Sequence, residues 1–170
     1  MSKMLSVSRK PFIVGIVGSH EDDTTAMKEA ALLGEEIARR GYVLLTGGGT
    51  GVMKAACEGA HRRGGLVVGI LPNERKRPIK DYPNEFVDIP IYTGMSDARN
   101  VINAKTPHVL IALKGGTGTL SEIALALKAG TPVISLNSRF AVPLEEGFFK
   151  AVETLEDALK EMEQVLRGKR

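Results

Sequence analysis

A single cysteine, Cys57, rules out an intrachain disulfide in this chain of 170 residues, and with only three histidines no Cys/His quartet exists that could build a structural zinc site. Tryptophan is absent and aromatic residues make up 5% of the chain, so its basic segments carry no interleaved stacking residues of the kind that bind nucleic acid. No apolar run approaches the roughly 18 residues that a membrane-spanning helix requires. Residues 1–10 are polar and basic, which reads as a flexible tail and not as a signal peptide. The expectation is one domain over 1–170, cytoplasmic, with no metal, no membrane partner and no nucleic acid. Charge is close to balanced: 23 basic and 20 acidic residues leave +3, and the excess lies at 3–10, 75–80 and 167–170, two termini and a loop of solvated charge.

What the chain does have is 43% apolar residues and 19 glycines in a repeating order. Apolar runs of strand length fall at 12–17, 43–46, 66–71, 86–89, 108–113 and 132–136, with a weaker seventh near 148–152. Helical spacing lies between them: Ala26, Ala30, Leu33 and Ile37 recur on one face, and the pattern stops at Arg39, Arg40 and Gly41. At the far end Thr154 opens a helix whose apolar face is Leu155, Ala158, Leu159, Met162, Val165 and Leu166, to be docked on the domain or on a second subunit. Strand and helix in alternation predict an α/β, Rossmann-like, doubly wound and mostly parallel sheet of six or seven strands with helices on both faces. Ligands of such sheets bind beyond the carboxyl ends of the strands.

Those ends carry Gly18, Ser19 and His20; Gly47 with Gly48, Gly49, Thr50 and Gly51; Thr93, Gly94, Met95 and Ser96; and Lys114 with Gly115, Gly116, Thr117, Gly118 and Thr119. The string Gly-Gly-Thr-Gly occurs twice, at 48–51 and 115–118, each time between a buried strand and a helix. Glycines there let backbone N–H groups approach an anion at the positive end of the helix, which suits a phosphate. Neither copy is a Walker A loop, and Val52 and Ser121 stand where the last glycine of a dinucleotide fingerprint would be. Tight turns alone would also account for the glycines.

Two charged residues stand beside these loops. Glu122 falls in the first turn of the helix after the second glycine loop, where it would face the crevice or complete a capping box with Thr119. At such a place it can hold a ribose hydroxyl, activate a water or stabilise a cation-like sugar. Arg99 stands in the first turn of the helix after the fourth strand, open to an anionic partner, to solvent or to Asp97. Ser19, His20 and Asp22 are contact candidates rather than a dyad, and Lys114 either reaches an anion or is simply exposed. Cys57 and His61 lie one helical turn apart without a third ligand, and Cys57 aligns with the apolar Met53, Ala56 and Ala60.

The stretch 46–72, with Gly-Gly-Gly-Thr-Gly-Val-Met and then Gly-Gly-Leu-Val-Val-Gly-Ile-Leu-Pro, together with 115–122, resembles the LOG superfamily, of Rossmann-like fold, over Phe12 to about Leu136. LONELY GUY members are phosphoribohydrolases of cytokinin riboside 5′-monophosphates, and Glu122 and Arg99 fall where their catalytic Glu and Arg stand. The resemblance then implies N-glycosidic hydrolysis through an oxocarbenium-like state, with the glycine loops around a 5′-phosphate. Lys114, Asn100, Lys54 and Ser121 replace, in turn, a Pro, a Lys, a Gly and an acidic residue of that motif. The strings at 88–91, 93–100 and 120–128 look closer to the molybdenum-cofactor carrier branch, whose members bind a phosphorylated pterin. The implied ligand is therefore a molybdenum cofactor or a nucleoside monophosphate, and the implied assembly a homodimer or tetramer. The lysine decarboxylase label attached to the superfamily gains nothing here, since no lysine sits in a recognisable pyridoxal-phosphate context.

Overall fold

The computed structural model describes residues 10–142 and 148–169. The tail expected over 1–10 therefore lies, apart from Lys10, outside the described residues. In chain order the elements are β1 (Ile13–Val17), α1 (Thr24–Arg39), β2 (Val43–Thr46), α2 (Val52–Arg62), β3 (Val67–Leu71), β4 (Ile89–Tyr92), a 3-10 turn (Ser96–Arg99), α3 (Asn100–Lys105), β5 (Val109–Ala112), α4 (Thr117–Ala129), β6 (Val133–Leu136), β7 (Phe149–Val152) and α5 (Leu155–Arg167). The seven strands form one sheet in the order β4-β3-β2-β1-β5-β6-β7, and every pairing is parallel. This is the Rossmann-like α/β architecture that the alternating pattern predicts.

The period-2 alternation of each strand assigns its side chains to two cores. On one face Val14, Ile16, Leu44, Val67, Val109 and Ile111 pack against α1, α2 and α5. On the other, Val17, Leu110, Ala112 and Val133 pack against Ala104 of α3 and Ile123, Ala126 and Leu127 of α4. Each fully buried leucine or isoleucine of these cores contributes roughly 1.5–3 kcal/mol. α1 starts where Asp23 Oδ1 accepts the Ala26 N–H at 2.9 Å, a side-chain cap, and Leu33 and Ile37 face inward as its spacing predicts. α1 and α2 approach so closely that a Cβ at Gly34 would overlap the Ala56 carbonyl oxygen, and one at Gly59 the Ala31 carbonyl oxygen. α5 begins at the Thr154 cap, whose Oγ1 accepts the Asp157 N–H at 3.1 Å, and buries Ala158, Met162 and Leu166 on the sheet, so its apolar face docks within the chain.

The fourth strand is a correction. The apolar run at 86–89 suggests a strand there, but pairing with β3 begins at Ile89 and runs to Tyr92 through Pro90. Asp88 instead turns its carboxylate onto the Val67 N–H at 2.8 Å, while Phe86 and Val87 pack on the core as a loop. A proline is tolerated because β4 is an edge strand with a neighbour on one side only.

Candidate functional site

The chain order reverses between β1 and β5: β1 connects towards β2, whereas β5 starts the other half of the sheet. Loops leaving neighbouring strands at such a switch point diverge and leave a crevice at the carboxyl ends. A cavity of about 480 Å³ lies there. Its walls are the loop 18–23 after β1, residues 114–119 after β5, Asp97, Arg99 and Asn100 after β4, and the side chains of Met53, Tyr82 and Glu122. A larger groove, about 700 Å³, runs along α5, but its Arg40 and Glu163 are already paired at 2.9 Å and no glycine loop reaches it.

The two Gly-Gly-Thr-Gly copies behave differently. The first does not line the cavity. It packs against the walls from behind, where each glycine is required by the protein itself. A Cβ at Gly49 would strike the Tyr82 ring, and Gly51, at φ +61°, would strike the Ser19 carbonyl oxygen. Its polar groups are occupied too: the Gly48 N–H donates to Thr46 Oγ1 at 3.0 Å, Asn84 Nδ2 donates to the Gly49 carbonyl at 2.9 Å, and Thr50 Oγ1 donates to the His20 carbonyl at 2.7 Å. In the second copy, Gly116, Thr117 and Gly118 are exposed on the cavity wall and open α4 with no side-chain cap. A Cβ at Gly116 or Gly118 would meet nothing within 4 Å, and neither has a positive φ. The folded chain has no packing need for glycine at these two places, where the first-turn N–H groups of α4 point outward. Only the second copy has the form of an open anion cradle.

Glu122 sits in the second turn of α4, since the helix already starts at Thr117, and this corrects its expected place in the first turn. The capping box with Thr119 does not form, because Gly116 occupies the N-cap position. Instead the carboxylate is 7% exposed and its Oε1 accepts from Asn103 Nδ2 at 2.8 Å. Burial pushes its pKa up to about 7, against the opposing effects of the Asn103 hydrogen bond and the Arg99 charge. A wall group poised near neutrality can hold or release a proton.

Arg99 closes the 3-10 turn that precedes α3, and it is neither solvated nor paired with Asp97. It is 8% exposed, and its guanidinium donates to the Gly47 carbonyl at 2.6 Å and to the Ile70 carbonyl, tying together the ends of β2 and β3 beneath the Tyr82 ring. Asn100 and Ser121, two of the positions that depart from the phosphoribohydrolase motif, bond to each other, Asn100 Nδ2 to Ser121 Oγ at 3.0 Å, as a neutral pair. Lys114 Nζ stands 2.6 Å from Asp23 Oδ2. Ser19 Oγ accepts the Glu21 N–H at 2.9 Å, so the hydroxyl shapes its own loop, while His20 and Asp22 line the cavity. Met95 is exposed and lies off the cavity wall. Cys57 is buried against Thr46 Oγ1 at 3.3 Å, and burial raises its thiol pKa, whereas His61 rests on Phe86 at 5.5 Å. Among the described residues no three His, Cys, Asp or Glu side chains gather as metal ligands would. Nor is any helix among them long and apolar enough to cross a membrane.

Four residues of the site went unremarked in the sequence: Glu21 and Asp23 in the loop after β1, Asn103 and Tyr82. Asn103 is fully buried beside Glu122, and its Oδ1 has no hydrogen-bond partner. A polar residue one turn after Arg99 in the apolar string Val-Ile-Asn-Ala was the available signal. Tyr82 comes from the basic loop after β3, where nothing in the local pattern pointed towards the cavity.

Comparison with known proteins agrees with the fold. An uncharacterized protein of Archaeoglobus fulgidus is 44% identical over 146 residues, covering 86% of this chain and 91% of that protein. The molybdenum cofactor carrier protein of Chlamydomonas reinhardtii superposes with a TM-score of 0.81 at 36% identity, over 93% of this chain and 99% of that one. The cytokinin riboside 5′-monophosphate phosphoribohydrolase of Mycobacterium tuberculosis is 34% identical over 95 residues, 55% of this chain and 50% of that protein. The chain thus spans about half the length of that relative. Residues 11–166, which take in the whole sheet, both glycine loops and the cavity, match the SLOG cluster4 family, and the chain belongs to it.

Proposed function

We propose that this protein binds a phosphorylated small molecule in the cavity at the β1–β5 switch point, with the phosphate on the N-terminus of α4 and a pterin- or nucleotide-like ring towards Asn100 and Tyr82. The observation that carries the reading is the open space over Gly116 and Gly118 at an uncapped helix start. Of the two activities that relatives bring to mind, carriage of a molybdenum cofactor is the better supported. Arg99 is engaged by two backbone carbonyls, and the Asn100–Ser121 pair puts no charge of its own beside the ring site. The cofactor would be cargo, held through its phosphate. Hydrolysis of a nucleoside 5′-monophosphate is the second reading, and the specific support for it is Glu122, on the wall with a pKa near 7.

One experiment separates the two. Purified protein is incubated with AMP and other nucleoside 5′-monophosphates, and free base and ribose 5-phosphate are followed by chromatography, with Glu122→Gln as control. Release that disappears in the variant establishes the hydrolase. Absence of release, together with saturable binding of molybdenum cofactor that a bulky side chain at Gly118 abolishes, establishes the carrier. The protein is proposed to act as a homodimer or tetramer. α4 supports this, because its outer side carries the exposed Leu120 and Ala124 beside a half-buried Leu125.

A further inference from the structure

The cavity wall is more acidic than a phosphate site would lead one to expect. Glu21, Asp22, Asp23, Asp97 and Glu122 face only two fixed cations, Arg99 and Lys114. Arg99 is held in place, since its Nη1 donates to the carbonyls of Gly47 and Ile70 and the residue is 8% exposed. Lys114 is differently placed. It stands two residues before Gly116, its side chain is 68% exposed, and among the described residues its ion pair is with another residue of the cavity lining, Asp23 Oδ2 at 2.6 Å. Asp23 holds α1 through its other oxygen, Oδ1, on the Ala26 N–H, so it keeps a structural role whether or not Lys114 is present.

We infer that Lys114 exchanges partners, holding Asp23 while the cavity is empty and the ligand's phosphate when one is bound, so that Asp23 acts as a built-in competitor for the phosphate. The inference rests on the phosphate cradle proposed above and goes further, because it names the counter-charge and what limits its strength. Both halves of the pair line the same cavity, and an ammonium on a flexible four-carbon stem can swing between two acceptors where a guanidinium fixed by carbonyls cannot. Giving up one carboxylate for a doubly charged phosphate costs little net charge pairing. A protein that must hand on its cargo gains from an internal carboxylate that reclaims the lysine as the phosphate leaves.

The two halves of the pair predict opposite effects, which a mere strap between loops would not. Affinity for AMP, with adenosine as the phosphate-free control, is measured by equilibrium dialysis on the full chain, and each variant is checked by thermal melting. Lys114→Met weakens AMP binding by about tenfold, the worth of one charge-assisted hydrogen bond, and leaves adenosine unchanged, while Lys114→Arg restores most of the loss. Asp23→Ser keeps a cap acceptor for the Ala26 N–H but removes the carboxylate, and tightens AMP binding by roughly threefold or more. Equal weakening by Lys114→Met and Asp23→Ser, or AMP affinity unchanged in either, overturns the exchange while the cradle stands. Failure of the wild-type protein to bind AMP, ribose 5-phosphate or inorganic phosphate overturns the cradle, and the exchange with it.

Discussion

Replacing Glu122 by glutamine tests the electrostatics of the site without touching its shape. Glutamine keeps an acceptor for Asn103 Nδ2 and removes the only charge that α4 buries. In the folded protein the Glu122 carboxyl titrates near pH 7, against an ordinary value of 4.5. A carboxyl whose folded pKa is raised is fully compatible with folding below its unfolded pKa, and its contribution is lost as pH rises through the folded pKa. The rise from 4.5 to about 7, at ~1.4 kcal/mol per unit, is a destabilisation of about 3 kcal/mol, of which roughly 2.5 kcal/mol develops between about pH 5 and pH 8. The assay is urea unfolding of wild type and Glu122→Gln across that range at constant ionic strength. Other titrating groups are common to both proteins and cancel in the difference, provided the slopes agree. The variant gains on the wild type as pH rises and is the more stable of the two at pH 8. Parallel stability curves would refute the claim that this carboxyl is buried and poised near neutrality, and would remove the support that Glu122 lends to a hydrolase.

Three further outcomes follow from the packing. Gly118→Ala, placed in open space in the first turn of α4, leaves stability unchanged or raises it by up to ~1 kcal/mol in urea unfolding, yet weakens AMP binding in dialysis. Gly34→Ala lowers stability by about 1–3 kcal/mol in the same unfolding assay, since its methyl group would overlap the Ala56 carbonyl and force α1 from α2. Arg99→Met strands the carbonyls of Gly47 and Ile70 and costs about 2–4 kcal/mol, a loss visible as a lowered urea midpoint even if Arg99 never touches a ligand.

The boundaries of β1, β2, β5 and β6 were legible to within a residue or so because their apolar runs are buried on both faces and bounded by glycine, proline or charge. β4 was not, since an edge strand is half exposed, its Ile89 and Ile91 alternate with Pro90 and Tyr92, and the stronger apolar signal of Phe86 and Val87 belongs to a loop packed on the core. The site was legible as a set of loops. Its second glycine string, Glu122 and Lys114 do meet at one cavity, while the first string and Met95 do not line it. Identical letters at 48–51 and 115–118 gave no means of telling them apart, because the difference lies in what surrounds them: Tyr82 and the 19–21 backbone press on the first, while in the second Gly115 packs on Thr119 and nothing presses on Gly116 or Gly118.

Periodicity and turn chemistry are local properties, so the amino-acid sequence by itself determined the alternation of strands and helices, the parallel sheet and the carboxyl end of it at which the cavity lies. The protonation of Glu122, the engagement of Arg99 by two carbonyls and the pairing of Lys114 with Asp23 were decided only by the tertiary structure. Each depends on groups brought together from 19, 52, 29 and 91 residues away along the chain. Burial and electrostatic pairing act through space, and a chain read one residue at a time does not contain the distances on which they depend.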